Sequence, residues 1–174
     1  LLVDMIFGRM PEFFEYLSPR VEGLFHGLGD PALAPENLHA LRTYVKPSVN
    51  RRHADEVSYF AHIKLRFDLE RDLINGKLEV DDLPEAWAEG MQKETGIKPN
   101  SYADGCLQDV HWFVGKFGYF PSYAIGHMAA AQIYYTMSDE LGDLRPMIRR
   151  GEFGPIKQWL NGNIHSKGRL MTWD

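Results

Sequence analysis

From Arg51 to Ile74 the chain runs without Gly or Pro, and this narrows what it can build. Within that run Ile63, Leu65, Phe67 and Leu69 alternate with Lys64, Arg66, Asp68 and Glu70, which alone would suit a half-buried strand. A strand usually has about five or six residues, so an unbroken run this long points to a helix. Gly76 stands where its C-cap would fall. Wound as a helix, Ile63 and Phe67 form one i, i+4 row and Leu65, Leu69 and Leu73 another, so much of the circumference is expected to be buried. The spacing predicts a central helix over 52–74.

The other segments also carry helical signals. Ile6, Met10, Phe13, Phe14 and Leu17 recur at helical spacing over 2–17, with Pro11 breaking the ladder and starting a second helix. The segment from His26 to Pro35, punctuated by Gly27, Gly29 and Pro31, is a predicted loop. Leu38, Leu41 and Val45 mark a helix over 36–45, limited by Pro47. Asp82-Leu83-Pro84-Glu85 reads as a capping box for a helix over 83–95 that ends near Gly96. Pro121 opens a helix over 121–141, and Pro155 opens one over 155–164 with Ile156, Trp159, Leu160 and Ile164 on one stripe. The predicted fold class is all-α, an irregular multi-helix array read as a single domain or fragment across residues 1–174.

The stretch GCLQDVHWFVGKFGYFPSYAIGHMAAAQ, from Gly105 to Gln132, has a composition that is costly for folding alone. Gln108, Asp109 and His111 each need partners if buried, and Gly115, Gly118 and Gly126 give up backbone order that Ala would keep. Asp109 and His111 supply an acceptor and a titratable ring, and Trp112 can shield that ring from water. A histidine beside a tryptophan is also an ordinary hydrogen-bonded structural residue, and spacing alone does not separate the two roles.

The string GCLQDVHW with GYFPSY after it resembles a signature of the thermostable carboxypeptidase family, helical zinc metallocarboxypeptidases that remove residues from peptide C-termini. A second block, RRHADEVSYFAHIKLRFDLE from Arg51 to Glu70, is similar to that family's Ile-Arg-x-x-Ala-Asp motif through Arg51, Ala54 and Asp55, with Asn50 in place of Ile. The family's metal ligands come from a His-Glu-x-x-His helix and a later His-Glu-Ser segment, and neither string occurs in this sequence. The opening LLVDMIFGRM resembles the family's stretch directly after that His-Glu-Ser segment, and GEFGPIKQWLNGNIHSKGR resembles a near-terminal one that normally continues past the position of Asp174. The resemblance therefore implies a C-terminal part of the enzyme: zinc, with cobalt as an alternative, in the full-length parent, and no metal bound by this chain.

Chemistry at a peptide C-terminus needs a group for the free carboxylate, and a guanidinium gives two charge-assisted hydrogen bonds at once. The resemblance gives this role to Arg51, with Arg52 as the alternative; an ion pair with Asp55 one turn on would instead make Arg51 structural. It makes His111 the donor to the tetrahedral intermediate, with Asp109 holding its ring and Tyr119 or Tyr123 as a further donor. Asp55, Gln108, Asp109 and Trp112 complete the expected substrate-binding set with Arg51, Gln108 alternatively bracing the turn and the tyrosines alternatively bridging helices. His53 and Glu56 have the spacing of a helical metal pair, but two ligands do not make a site. His26, His39, His62, His127 and His165 show no ligand spacing.

The formal net charge of −5 and the absence of a dense Lys/Arg run argue against nucleic acid or an anionic membrane as partner. No apolar run approaches the roughly 20 residues of a membrane span. The single cysteine, Cys106, cannot close an internal disulfide, fits a reducing cytoplasm, and reads as a small packing residue. Expected partners are peptides with a free C-terminal carboxylate, and homodimers are known in the family. The competing expectation is a stand-alone helical module that binds peptide C-termini without catalysis.

Overall fold

Why the long Gly- and Pro-free run does not become one long helix is settled by two short polar side chains. In the computed structural model, which describes residues 2–25, 29–168 and 170, Asn50 accepts a hydrogen bond from the Arg52 N–H at 2.9 Å and closes a single 3-10 turn, Arg51–His53. Asp55 then accepts from the N–H of Val57 and of Ser58, each at 2.8 Å, and from the Ser58 hydroxyl at 2.7 Å. Side chains of this kind compete with the helical ladder for backbone donors. The helix therefore starts late, and the predicted span 52–74 is corrected to Tyr59–Ile74.

The fold is all-α, and no strand occurs among the described residues. In chain order the helices are α1 (Leu2–Met5), α2 (Pro11–Leu24), α3 (Pro35–Arg42), α4 (Tyr59–Ile74), α5 (Leu83–Thr95), α6 (Pro121–Leu141), α7 (Arg145–Arg150) and α8 (Phe153–Asn163). As expected, Pro11 opens a new helix, which continues through Pro19 beyond the predicted end at 17. Helices α5 and α6 span the predicted ranges. Asp82 makes no side-chain cap, because a 3-10 turn over Val80–Asp82 leads straight into α5. Helix α7 has six residues, too few for its periodicity to be read in sequence. His26 and Gly27 of the predicted loop lie outside the described residues, as does Asp174.

The chain divides into two compact units. The first joins Leu1–Arg42 to Met128–Asp174, and its core is Phe7, Met137, Leu144, Ile148, Ile156 and Trp159. Here α2 packs on α3 and α7. Gly151 turns with φ +72 after α7, and a Cβ there would lie 2.1 Å from the Tyr16 ring, so both the turn and the close approach require glycine.

The second unit is continuous, Thr43–His127, with a core of Leu65, Leu69, Trp87, Met91 and Cys106 between α4 and α5. Cys106 is a buried free thiol within that core. Of the two predicted α4 rows, one is buried at Leu65 and Leu69 and partly at Leu73, whereas the other is buried at Ile63 but exposed at Phe67. The positions between them hold a second row, His62, Arg66 and Glu70, polar and buried. Among the described residues, no helix is long and apolar enough to cross a membrane.

Candidate functional site

Burying three polar side chains on one helix face requires partners for each, and those partners come from the two sequence blocks. All lie in the second unit. Asp109 is the hub. Its Oδ1 accepts from Arg51 through Nη2 at 2.6 Å and Nε at 3.1 Å, while its Oδ2 accepts from Arg66 Nε at 2.6 Å. Arg51 also donates from Nη1 to the Tyr59 hydroxyl at 3.1 Å and lies 4.8 Å from the Tyr123 ring centroid. One N–H on each terminal nitrogen of Arg51 is thus left without a partner among the described residues.

Gln108 fixes the backbone that presents Arg51. Its Oε1 accepts from the Arg51 N–H at 2.9 Å, and its Nε2 donates to the carbonyls of Val49 at 3.1 Å and Asp104 at 2.8 Å. The glutamine ties the two blocks together through main chain. Asp55 is not brought to Arg51; it accepts from the backbone N–H groups of Val57 and Ser58 in the turn that leads into α4, so the one-turn ion pair does not form. Arg52 is exposed and lies outside the cluster.

His111 is buried against Phe120, ring centroids 4.5 Å apart, with Tyr119 at 5.4 Å. Its Nε2 is 2.9 Å from the Tyr123 hydroxyl, whereas its Nδ1 is 3.8 Å from Asp109 Oδ1, too far for a hydrogen bond, and has no partner. Asp109 therefore faces the ring without holding it. Trp112, expected to shield His111, is turned to α4 instead: its Nε1 donates to Glu70 Oε2 at 2.8 Å, and the Gly118 N–H donates to Glu70 Oε1. Phe120 supplies the apolar wall. Of the two tyrosines, Tyr123 bonds His111, and the half-exposed Tyr119 stacks beside it under Lys116.

The electrostatics are set by burial. Burial works against ionisation of Asp109, but the hydrogen bonds and charges of Arg51 and Arg66 outweigh it and hold the carboxyl below its usual range. Burial lowers Arg66 to about 10, still cationic at neutral pH; burial also lowers His111, the Asp109 charge opposing and the neighbouring cations aiding it, and this favours the neutral ring. The Tyr123 hydroxyl and His111 Nε2 can exchange donor and acceptor roles with the tautomer; in the tautomer where Tyr123 donates, the proton of the neutral ring sits on the unpartnered Nδ1. The arrangement can bind an anion and offer one neutral N–H donor beside it.

Sequence reading missed Arg66, Glu70 and Tyr59. Arg66 and Glu70 stood in the polar phase of the 63–70 alternation, which reads as a solvent face; their i, i+4 spacing with His62 was the available signal. His53 and Glu56 lie in and after the 3-10 turn, not on one helical face, so they form no metal pair. Among the described residues no three His, Cys, Asp or Glu side chains converge to hold a metal ion.

Together, helices surrounding a buried Arg-Asp-Arg cluster with a histidine beside it define an all-α protein with a charged cluster in its second unit. The whole sequence, residues 1–174, matches the family profile described as Carboxypeptidase Taq (M32) metallopeptidase, and the chain belongs to that family. It is 45% identical over 165 residues to Thermostable carboxypeptidase 1 of Thermus thermophilus, covering 95% of this chain and 32% of that protein. Against Thermostable carboxypeptidase 1 of Pyrococcus furiosus it is 38% identical over 167 residues, covering 96% and 33%. The solved structure of Trypanosoma cruzi metallocarboxypeptidase 1 superposes with a TM-score of 0.92 at 39% identity, covering 100% of this chain and 36% of that one. The chain thus spans about a third of the length of the relatives it matches. The family is one of metallopeptidases, and the described residues do not form a ligand set for the metal.

Proposed function

We propose that this chain is the substrate-recognising part of a metallocarboxypeptidase that releases C-terminal amino acids from peptides. Arg51 anchors the free α-carboxylate through the two N–H groups left over from its bonds to Asp109 and Tyr59, a charge-assisted contact. His111 donates from Nδ1 to the scissile carbonyl as negative charge develops on its oxygen. Tyr123 sets the His111 tautomer, and Tyr119 flanks the same ring at the surface. Gln108 and Asp109 position Arg51, and Trp112 anchors the loop that carries His111. The observation that carries this reading is the convergence of Arg51 and His111 on one carboxylate, with donors of both unclaimed among the described residues. Zinc as the metal, with cobalt able to replace it, a cytoplasmic setting and a homodimeric assembly belong to the same reading, supported by the family likeness and, for the compartment, by the solitary cysteine.

The test is kinetic, in a complete M32 carboxypeptidase that carries this chain. Arg51→Ala removes a contact made in ground and transition states, so kcat/KM should fall by about 2–4 kcal/mol, largely through KM, and the preference for free acid over C-terminal amide should shrink. His111→Ala should instead lower kcat by roughly 10²–10³-fold. Equal losses in kcat for both variants, with the acid preference intact, would defeat the assignment.

A further inference from the structure

Arg66 is the least expected residue of the cluster, because no atom of it reaches the surface: its relative exposure is 0%. A buried guanidinium carries a large desolvation cost and is retained only where its bonds are specific. Nε donates to Asp109 Oδ2 at 2.6 Å, and Nη1 donates to the His62 carbonyl at 2.9 Å. The cation also lies over the Trp87 ring at 4.6 Å and near the Phe120 ring at 5.5 Å. Arg66 is too deep to touch a substrate, yet it shares the carboxylate that holds Arg51.

Sharing one carboxylate constrains Arg51 in two ways. The first is geometric. A carboxylate facing one guanidinium normally takes it as a fork, oxygen against nitrogen twice. With Oδ2 occupied by Arg66, Arg51 is restricted to Oδ1, which takes both its Nε and Nη2. The second is charge. Arg51 and Arg66 are set against one Asp109, while the neighbouring His62 and His111 are neutral. Glu70, one turn along α4, is engaged by Trp112 and Gly118 and pairs with neither arginine among the described residues. The cluster holds one positive charge in excess, in surroundings where an unpaired charge is costly.

We propose that Arg66 is a positioning residue for recognition of the peptide C-terminus: by occupying Asp109 Oδ2 it restricts Arg51 to Oδ1, turns its free N–H groups outward and keeps the pair net cationic until a substrate carboxylate neutralises it. This rests on the carboxylate-anchoring role given to Arg51 above. Without Arg66, Asp109 is free to take Arg51 in a symmetric fork and neutralise it internally.

The experiment compares kcat, KM and the free-acid to amide ratio of kcat/KM for wild type, Arg51→Ala, Arg66→Met and Arg66→Lys in a complete M32 carboxypeptidase carrying this chain. Arg66→Met keeps much of the volume and removes the charge. It should raise KM for free-acid peptides and reduce the acid/amide ratio by about tenfold or more, the loss expected of a charged hydrogen bond, with kcat within about threefold of wild type. Arg66→Lys keeps the charge but cannot hold Oδ2 and the His62 carbonyl at once, and should fall between. A residue that merely fills the core would change stability and active fraction while leaving the ratio alone, and that outcome overturns the proposal. Should Arg66→Met fail to fold, Arg66→Lys decides: a ratio reduced by about threefold or more supports the role, and an unchanged ratio removes it. If Arg51→Ala also leaves the ratio unchanged, the reading of Arg51 itself fails; if Arg51→Ala collapses the ratio and neither Arg66 variant moves it, only the Arg66 role is lost.

Discussion

His62 shows how one buried ring commits the site to a protonation state. Its Nε2 is 2.9 Å from the Ser48 carbonyl, so it must donate there, and its Nδ1 is 3.3 Å from Arg66 Nη1, so it must accept. Only the neutral ring satisfies both; a second proton would set N–H against N–H. Burial, and next the Arg66 charge, push its pKa from 6.5 to about 4. The folded value lies below the unfolded one, so the unfolded chain binds more protons between these limits. This stabilisation is complete above about pH 6.5 and is lost as pH falls towards 4. Denaturant unfolding at pH 7 and pH 4.5 should cost the wild type about 2 kcal/mol more than His62→Gln, which lacks the titrating ring. Parallel pH dependences for the two proteins would refute the assignment. His111, lowered in the same direction, is common to both and cancels. At this scale the sequence exposed Arg51, Gln108, Asp109 and His111 because they sit in unusual strings. It hid His62, Arg66 and Glu70 because a polar residue bound for the interior looks, without its partners, like one bound for water.

Among the elements, the start of α4 is the point where local polar chemistry overrode periodicity. An ion pair with Arg51 was the alternative for Asp55, which instead takes the N–H groups of Val57 and Ser58; burial alone would raise its pKa, but the hydrogen bonds from Ser58 and Val57 together lower it. Asp55→Ala should therefore destabilise the fold by about 1 kcal/mol, as loss of an N-terminal cap does. It should leave the acid/amide preference of the complete enzyme near wild type, because Asp55 touches neither Arg51 nor His111. A collapse of that preference at unchanged stability would return Asp55 to the substrate site. The helices that were legible in advance, α5 and α6, have proline at the first turn and a glycine just past the end, Gly96 at φ +77 and Gly142 at φ +82. Such stops act within a turn and need no tertiary partner. The break at 54–58 was not legible, because Asn50 and Asp55 are punctuation only when their side chains fold back onto the backbone.

Across the whole molecule, the site draws on a single continuous stretch. Every residue given a role, from Arg51 to Tyr123, falls within Thr43–His127, whereas the other unit joins two distant segments around its own apolar core. Each unit has its own apolar core, and the residues proposed for recognition all belong to the continuous one. Ile148, fully buried on the short helix α7 beside Met137 and Leu144, lies in the discontinuous unit. Ile148→Ala removes three carbons from a packed interior, and the lost transfer energy plus the residual cavity should cost about 2–4 kcal/mol of unfolding free energy. Among the described residues, no group that sets the charge of the Arg51 cluster or the tautomer of His111 comes from this unit, so the effect should appear in the unfolding midpoint and in the yield of folded enzyme. The ratio of kcat/KM for free-acid and amidated peptides, a property of each folded molecule and not of how many are folded, should stay within about twofold of wild type in a complete M32 carboxypeptidase carrying the substitution. A fall in that ratio as large as the one expected for Arg51→Ala would mean that the recognition chemistry depends on packing far outside the continuous stretch, and the separation between core and site would have to be given up.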